Sequence, residues 1–196
     1  MKTPCPSTRK TNPSVRSRAT SNSRTRTRLV PILEQVEARL VLTGGTVSLV
    51  GGTIWINPDT TAPVNTSVVT SQNNVVDVSL NGTDYTFSSS TVYSLIFDGS
   101  KTMSGTRQVF RNDTSVPSFA MGGAGQNQFT AGHGFDTFVG GAGQNQFTAR
   151  DGFVFFFGSA LGTNDFQQGS GVGIIVTFGK NNRVAPGTGT YYVYAF

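Results

Sequence analysis

The sequence predicts an all-β chain organised around a short right-handed parallel β-roll, a β-solenoid, with a β-hairpin region flanking it. Three observations carry that expectation. Residues 122–157 divide into four nine-residue units, GGAGQNQFT, AGHGFDTFV, GGAGQNQFT and ARDGFVFFF, the first and third identical. Glycine holds the fourth position of each (Gly125, Gly134, Gly143, Gly152) and phenylalanine the eighth (Phe129, Phe138, Phe147, Phe156). A fixed period with one turn residue and one large apolar residue marks a solenoid, whose units bury their faces only by stacking. The second observation is composition: 24 glycines against three methionines and one tryptophan suit strands and turns better than a helical bundle. The third is the alternation of β-branched runs with turn residues upstream of the repeats.

In each unit six positions are rich in Gly, Asn, Gln and Asp, which suits tight turns built on positive φ or on side-chain-to-backbone bonds. The other three predict a very short strand, with Phe inward and its neighbours outward. Two turns and two strands make a coil of eighteen residues. Phe129 and Phe147 then line one inner wall, and Phe138 and Phe156 the other. The same stacking places Gln126, Asn127 and Gln128 over Gln144, Asn145 and Gln146, so amide ladders are expected to run along the axis.

Upstream, Val47–Val50, Thr53–Ile56, Val75–Leu80, Thr83–Phe87 and Val92–Phe97 read as strands, with Asn81-Gly82 the signal for a hairpin. This region is expected to cap the roll, because an open solenoid edge invites other chains. Leu95–Phe97, Val109-Phe110 and Ser118–Ala120 read as irregular rungs around a looser Gly99–Arg107 insertion. After the repeats, Gly162–Phe166 matches Gly125–Phe129 out of phase, and Ile174–Phe178 and Tyr191–Phe196 read as closing strands.

The net charge of +5 is uneven: residues 1–28 hold eight of the 15 Lys and Arg and no acid, leaving seven basic and ten acidic residues for the rest. A disordered basic tail therefore precedes a mildly acidic body, and the high pI does not imply a nucleic-acid-binding domain. Over 29–43, Leu29, Ile32, Leu33, Val36 and Leu40 recur at helical spacing, with Pro31 in the first turn and Gly44 at the stop. Glu34, Glu37 and Arg39 interrupt this run, so neither a signal-peptide core nor a transmembrane segment is expected. The β-rich domain then spans 44–196. Cys5 is the single cysteine and permits no internal disulfide.

The four units resemble the glycine-rich calcium-binding nonapeptide of RTX proteins, G-G-x-G-x-D-x-U-x, with U a large apolar residue. Unit two matches at Gly132, Gly134, Asp136 and Phe138; units one and three match at Gly123, Gly125, Phe129 and at Gly141, Gly143, Phe147, but carry Asn127 and Asn145 where the family has Asp. Unit four has Arg150 for the second glycine and Val154 for the Asp. The resemblance implies a parallel β-roll and turn-bound Ca2+. Its ligand positions here are Asp136, Asn127 and Asn145, with backbone from Gly123, Gly125, Gly132, Gly134, Gly141 and Gly143. Calcium affinity follows the number of charged ligands. Neutral Asn127 over Asn145, and Asp136 between Ser118 and Val154, leave at most one repeat-derived carboxylate per site, so weak binding is expected.

Leu33–Gly44, LEQVEARLVLTG, resembles the L-E-x-L-E-x-R-x-L-L motif that follows a basic tail in many large bacterial surface proteins. That resemblance implies export, an extracellular or bacterial cell-surface location, and a cell-surface polymer or protein as partner. A helix packing on the roll is the competing reading. Enzymatic chemistry finds little support. His133 and Asp151 share the third position of units one coil apart and should pair, but the repeat brings no serine or second carboxylate to them. A structural or interaction module is therefore expected, with an accessory module or fragment of a polysaccharide-active or other extracellular enzyme as the alternative.

Overall fold

The computed structural model describes residues 44–196, and there the all-β expectation holds. The basic tail, the 29–43 helix and the export-like motif, save its last residue Gly44, lie outside the described residues. Sixteen strands form two eight-stranded sheets. In the first sheet, β1 (Thr46–Val50) pairs antiparallel with β2 (Thr53–Asn57). Then β6 (Ser94–Asp98), β8 (Ser118–Met121), β10 (Phe135–Val139), β12 (Phe153–Phe157), β14 (Val172–Thr177) and β16 (Thr190–Ala195) follow in parallel. The second sheet stacks β3 (Val64–Gln72), β7 (Arg107–Asn112), β9 (Gln126–Thr130), β11 (Gln144–Thr148), β13 (Thr163–Gln167) and β15 (Asn182–Ala185) in parallel. From β2 the main chain winds alternately through the two walls.

The upstream end is closed as expected, by β1 on one sheet and by the meander of β3, β4 (Val75–Leu80) and β5 (Thr83–Ser88) on the other. Three two-residue turns make this possible. Gly51-Gly52, Asn73-Asn74 and Asn81-Gly82 all have φ between 51° and 82°, the left-handed pair whose twist matches antiparallel strands. Of these, Asn73-Asn74 and the long β3 were not legible in the strand pattern.

The repeat strands are five residues long rather than three. Each therefore points two residues inward, at the sixth and eighth positions of the unit. Phe97, Phe110, Phe129, Phe138, Phe147, Phe156 and Phe166 are fully buried at the eighth-type position, with neighbouring centroids such as Phe129–Phe147 at 5.9 Å and Phe147–Phe166 at 5.2 Å. Their close packing, mixed between edge-on and stacked, supplies the apolar core that the stacking of units requires.

The repeat glycines correct one expectation. None of Gly125, Gly134, Gly143 or Gly152 has positive φ. They are needed because coils lie close: a Cβ on Gly143 would stand 2.0 Å from the Gly125 carbonyl oxygen, and one on Gly152 would stand 2.3 Å from that of Gly134. Conformational freedom is used instead at the hairpins.

Candidate functional site

The sixth-position column of the second sheet runs Asn65, Gln108, Asn127, Asn145, Asn164, Asn182 in register. Each asparagine closes the turn before its strand. Asn127 accepts the Gly123 N–H at Oδ1 (3.0 Å) and donates from Nδ2 to the Gly123 carbonyl (3.0 Å); Asn145 does the same with Gly141, both at 2.9 Å. Asn164 uses Ser159 and Asn65 uses Asp59 in this way, while Asn182 donates to the Phe178 and Gly179 carbonyls. The second Nδ2 proton goes down the axis: Asn127 to Asn145 at 2.9 Å, Asn145 to Asn164 at 2.9 Å, Asn164 to Asn182 at 2.7 Å. The glycine opening the turn makes room for this amide. A Cβ on Gly122, Gly140 or Gly158 would lie 2.6, 2.8 or 2.9 Å from the side chain of Asn127, Asn145 or Asn164.

The expected ladder thus exists as one buried column rather than three, and it extends two rungs beyond the repeats. Gln126 over Gln144 and Gln128 over Gln146 are in register but face outward, and Gln128 accepts from Arg107 (2.9 Å) instead of bonding its neighbour. Above the ladder Gln108 donates to the Gly99 carbonyl and leaves its Oε1, buried, without a partner.

On the first sheet the sixth-position column is heterogeneous: Ile54, Leu95, Ser118, Asp136, Val154, Gly173, Tyr191. Asp136 is fully buried and accepts from the Gly132 N–H (2.8 Å), the Asn112 amide (3.0 Å) and the Ser118 hydroxyl. Burial pushes its carboxyl above the ordinary carboxylate range, and those donors pull against it. Asn112 in turn holds the next turn through Thr114 and Val116.

As they stand, these residues do not fit a calcium ion. The turn carbonyls a hard cation would need, Gly123 and Gly125 in one turn and Gly141 and Gly143 in the next, face the NH2 groups of Asn127 and Asn145 at 2.9–3.4 Å. The Asp136 carboxylate is spent on protein donors. Asp165 faces outward beside Arg183 (3.3 Å), and Asp151 pairs with His133 (2.5 Å) on the turn edge, both partners exposed. Among the described residues no three His, Cys, Asp or Glu side chains converge.

The remaining polar features are shallow. A groove of about 420 Å³ on the outer face of the second sheet is lined by Arg107, Gln128, Gln146 and Asp165 among others. A corner network joins Asp113 to Arg111 (2.7 Å) and Arg150 (2.5 Å); burial raises that carboxyl, yet the two guanidiniums outweigh it and hold it below the usual range. Among the described residues no helix is long and apolar enough to cross a membrane. Comparison with known protein families, curated proteins and solved structures returns no match to this chain.

Proposed function

We propose that the protein is an exported structural or interaction module, acting outside the cell or at the bacterial surface. In this reading its RTX-like roll is held by buried amides in the role that calcium plays in the family. The observation that carries it is the asparagine ladder: the family's ligand position is occupied by side chains that both close each turn and join successive coils. The N-terminal resemblance to an export-associated motif supports the location. Calcium binding is at most weak and vestigial in this reading, because the turn carbonyls are held by amides and each inter-coil site offers at most one carboxylate. The module is not an enzyme in this reading, since the His133–Asp151 pair stands in solvent with no nucleophile placed beside it.

The test has two parts. Deleting residues 1–44 should retain the protein inside the producing cell, and unchanged export would overturn the location. Melting of the purified full chain should be the same in calcium and in chelator, and strong stabilisation by calcium would overturn the amide reading. The second reading, an accessory module of a polysaccharide-active enzyme, is favoured by the amide-lined groove, whose glutamines can both donate to and accept from hydroxyls. Retention on a uronate or neutral glycan column, lost with Gln128→Ala and Gln146→Ala, would support it.

A further inference from the structure

Strands β12 and β14, FVFFF and VGIIVT, are apolar at almost every position, the pattern of strands covered on both faces. Their inner face meets the roll core, but among the described residues no element packs over the outer one. The seven strands of this sheet from β2 to β16 carry no Lys or Arg, and Asp98 is the one acid on their outer side. Phe135, Val172, Tyr192 and Tyr194 are 42% to 56% exposed there. Continuous apolar faces of this kind mark interaction sites. The ring geometry narrows the occupant. Phe135 stacks on Phe153 at 5.3 Å and 6°, and Phe155 on Phe157 at 6.1 Å and 13°, so their flat faces turn toward one another and their edges outward. Edges with furrows between them suit the interdigitating side chains of a second sheet better than a flat sugar ring. The lack of basic residues gives anionic lipid nothing to bind.

Size and charge placement fit a second copy of this chain. Seven strands of about five residues cover roughly 34 Å by 16 Å. Two such faces together bury about 1,100 Å², which clears the roughly 1,000 Å² that a specific interface needs. Sheets pack face to face about 10 Å apart with their strands nearly aligned. Two directions of the two-fold axis allow full overlap, and Asp98 decides between them. An axis parallel to the strands sets β14 over β6 and presses Asp98 against Val176, a charge buried on an apolar side chain. An axis parallel to the roll sets each strand over its own copy with its ends exchanged. Asp98 then lies over Ser94, which carries a hydroxyl donor, and Phe157 lies over Phe153. We propose that two copies of the protein pair side by side through the outer faces of their first sheets about this second axis. The central column, from Trp55 through Thr137 to Tyr192, lies on it. The pairing does not depend on where the protein acts.

Sedimentation of the purified full chain is expected to show a monomer–dimer equilibrium at micromolar concentration. Thr137→Arg sets two like charges against each other on the axis and should raise the dissociation constant at least tenfold. Thr130→Arg, the same change on the outer face of the second sheet, should leave it unchanged. A chain that stays monomeric at about 100 μM overturns the proposal, and so does a dimer indifferent to Thr137→Arg or weakened equally by Thr130→Arg. In a Cys5→Ser background, a short bismaleimide should link Tyr192→Cys to its own copy and leave Gln146→Cys, on the opposite face, unlinked. Equal linking, or the reverse, overturns the pairing without placing a charge in the interface. Two further results overturn it by giving the face another occupant. One is a monomer whose Thr137→Cys thiol resists alkylation, because another part of the chain then covers it. The other is a monomer that floats with phosphatidylcholine vesicles.

Discussion

The two walls share one inner column of phenylalanines and differ in the other. The second sheet repeats asparagine from Asn127 to Asn182; Asn127, Asn145 and Asn164 each bond both their own turn and the rung below, and Asn182 ends the column on its own turn. The first sheet changes residue at each step of the equivalent column, and its one carboxylate, Asp136, draws donors from Ser118 on the neighbouring strand and from Asn112 at the end of β7 in the other wall. A repeated amide can satisfy itself indefinitely, since it carries acceptor and donor in equal reach. A carboxylate cannot, and so it appears once, in a pocket of donors. The exteriors differ as well: the wall with the polar interior ladder is also polar outside, whereas the wall with the mixed interior is apolar outside.

The sharpest way to break this contrast is in the middle of the ladder. Asn145→Leu keeps the branching at Cγ, with two slightly larger methyl groups in place of the amide oxygen and nitrogen, but leaves the Gly141 N–H and C=O, the Asn127 amide and the Asn164 side-chain carbonyl without this partner. At roughly 1–3 kcal/mol for each buried group left unpaired, the loss should be on the order of 4 kcal/mol or more. Val154→Ala, at the equivalent position of the other wall, removes only apolar contact and should cost about 1–3 kcal/mol. Urea unfolding of both variants compares them, and equal losses would show that the ladder is no more than a packing column.

A smaller loss, and a recoverable one, is expected from Asn127→Asp with Asn145→Asp. Without calcium the two carboxylates stand one strand spacing apart, about 4.8 Å, and repel, while the turn carbonyls lose their amide donors. The same change frees those carbonyls for a cation. Millimolar calcium should then restore the variant to parental stability or beyond, because an ion bound only by the folded roll stabilises it by mass action. A variant indifferent to calcium would show that these turns lack the ligand geometry of the family they resemble.

How much of this contrast was legible in the sequence depends on where the period survives. The eighteen-residue identity places Asn127 over Asn145 and Phe129 over Phe147, and the structure pairs them so. The out-of-phase match of Gly162–Phe166 to Gly125–Phe129 sets Asn164 against Asn127, but its rung in the ladder was hidden because it follows Asn145 by nineteen residues: the turn at 158–162 is one residue longer, and Asn164 bonds Ser159 five positions back instead of four. Asn182 lies beyond any repeat and was hidden for the same reason. The strand pattern also missed β3, whose outward Val68 and inward Asn65 and Ser67 invert the usual alternation of apolar inside and polar outside. The role of the repeat glycines could not be read at all, since crowding from the adjacent coil is a tertiary fact.

A pH series tests the first wall alone, since the second wall's inner column carries no titratable group. The folded state raises the Asp136 pKa, so the folded chain binds that proton more tightly than the unfolded one. The stabilisation is therefore present below the unfolded value, about 3.9, and is lost as pH rises through the folded value. Asp136→Asn removes this titration. The stability of the parent minus that of the variant should fall between pH 4 and pH 7, by about 1.4 kcal/mol for each unit by which the pKa is raised. Asp59 and Asp151, whose pKa values are lowered through bonds with Thr61 and His133, run the opposite way but cancel in that difference. A gap that widens with pH would mean that the donors around Asp136 outweigh its burial.

The smallest effect is expected one residue away from the largest. Gln146 follows Asn145 in β11, stacks in register beneath Gln128 and belongs to the same repeated unit, yet its side chain faces solvent. If stability came from stacked amides in general, Gln146→Ala would cost as much as a change at Asn145. If it comes from burial, which removes water as the competing partner, Gln146→Ala should fall within about 0.5 kcal/mol of the parent. Asp165→Ala, which breaks only an exposed contact with Arg183, should behave alike, within about 1 kcal/mol. Chemical denaturation resolves these from the Asn145 variant easily. A loss at Gln146 comparable to that at Asn145 would place the stabilising ladder on the outside of the wall, and the distinction between the two amide columns would then fall.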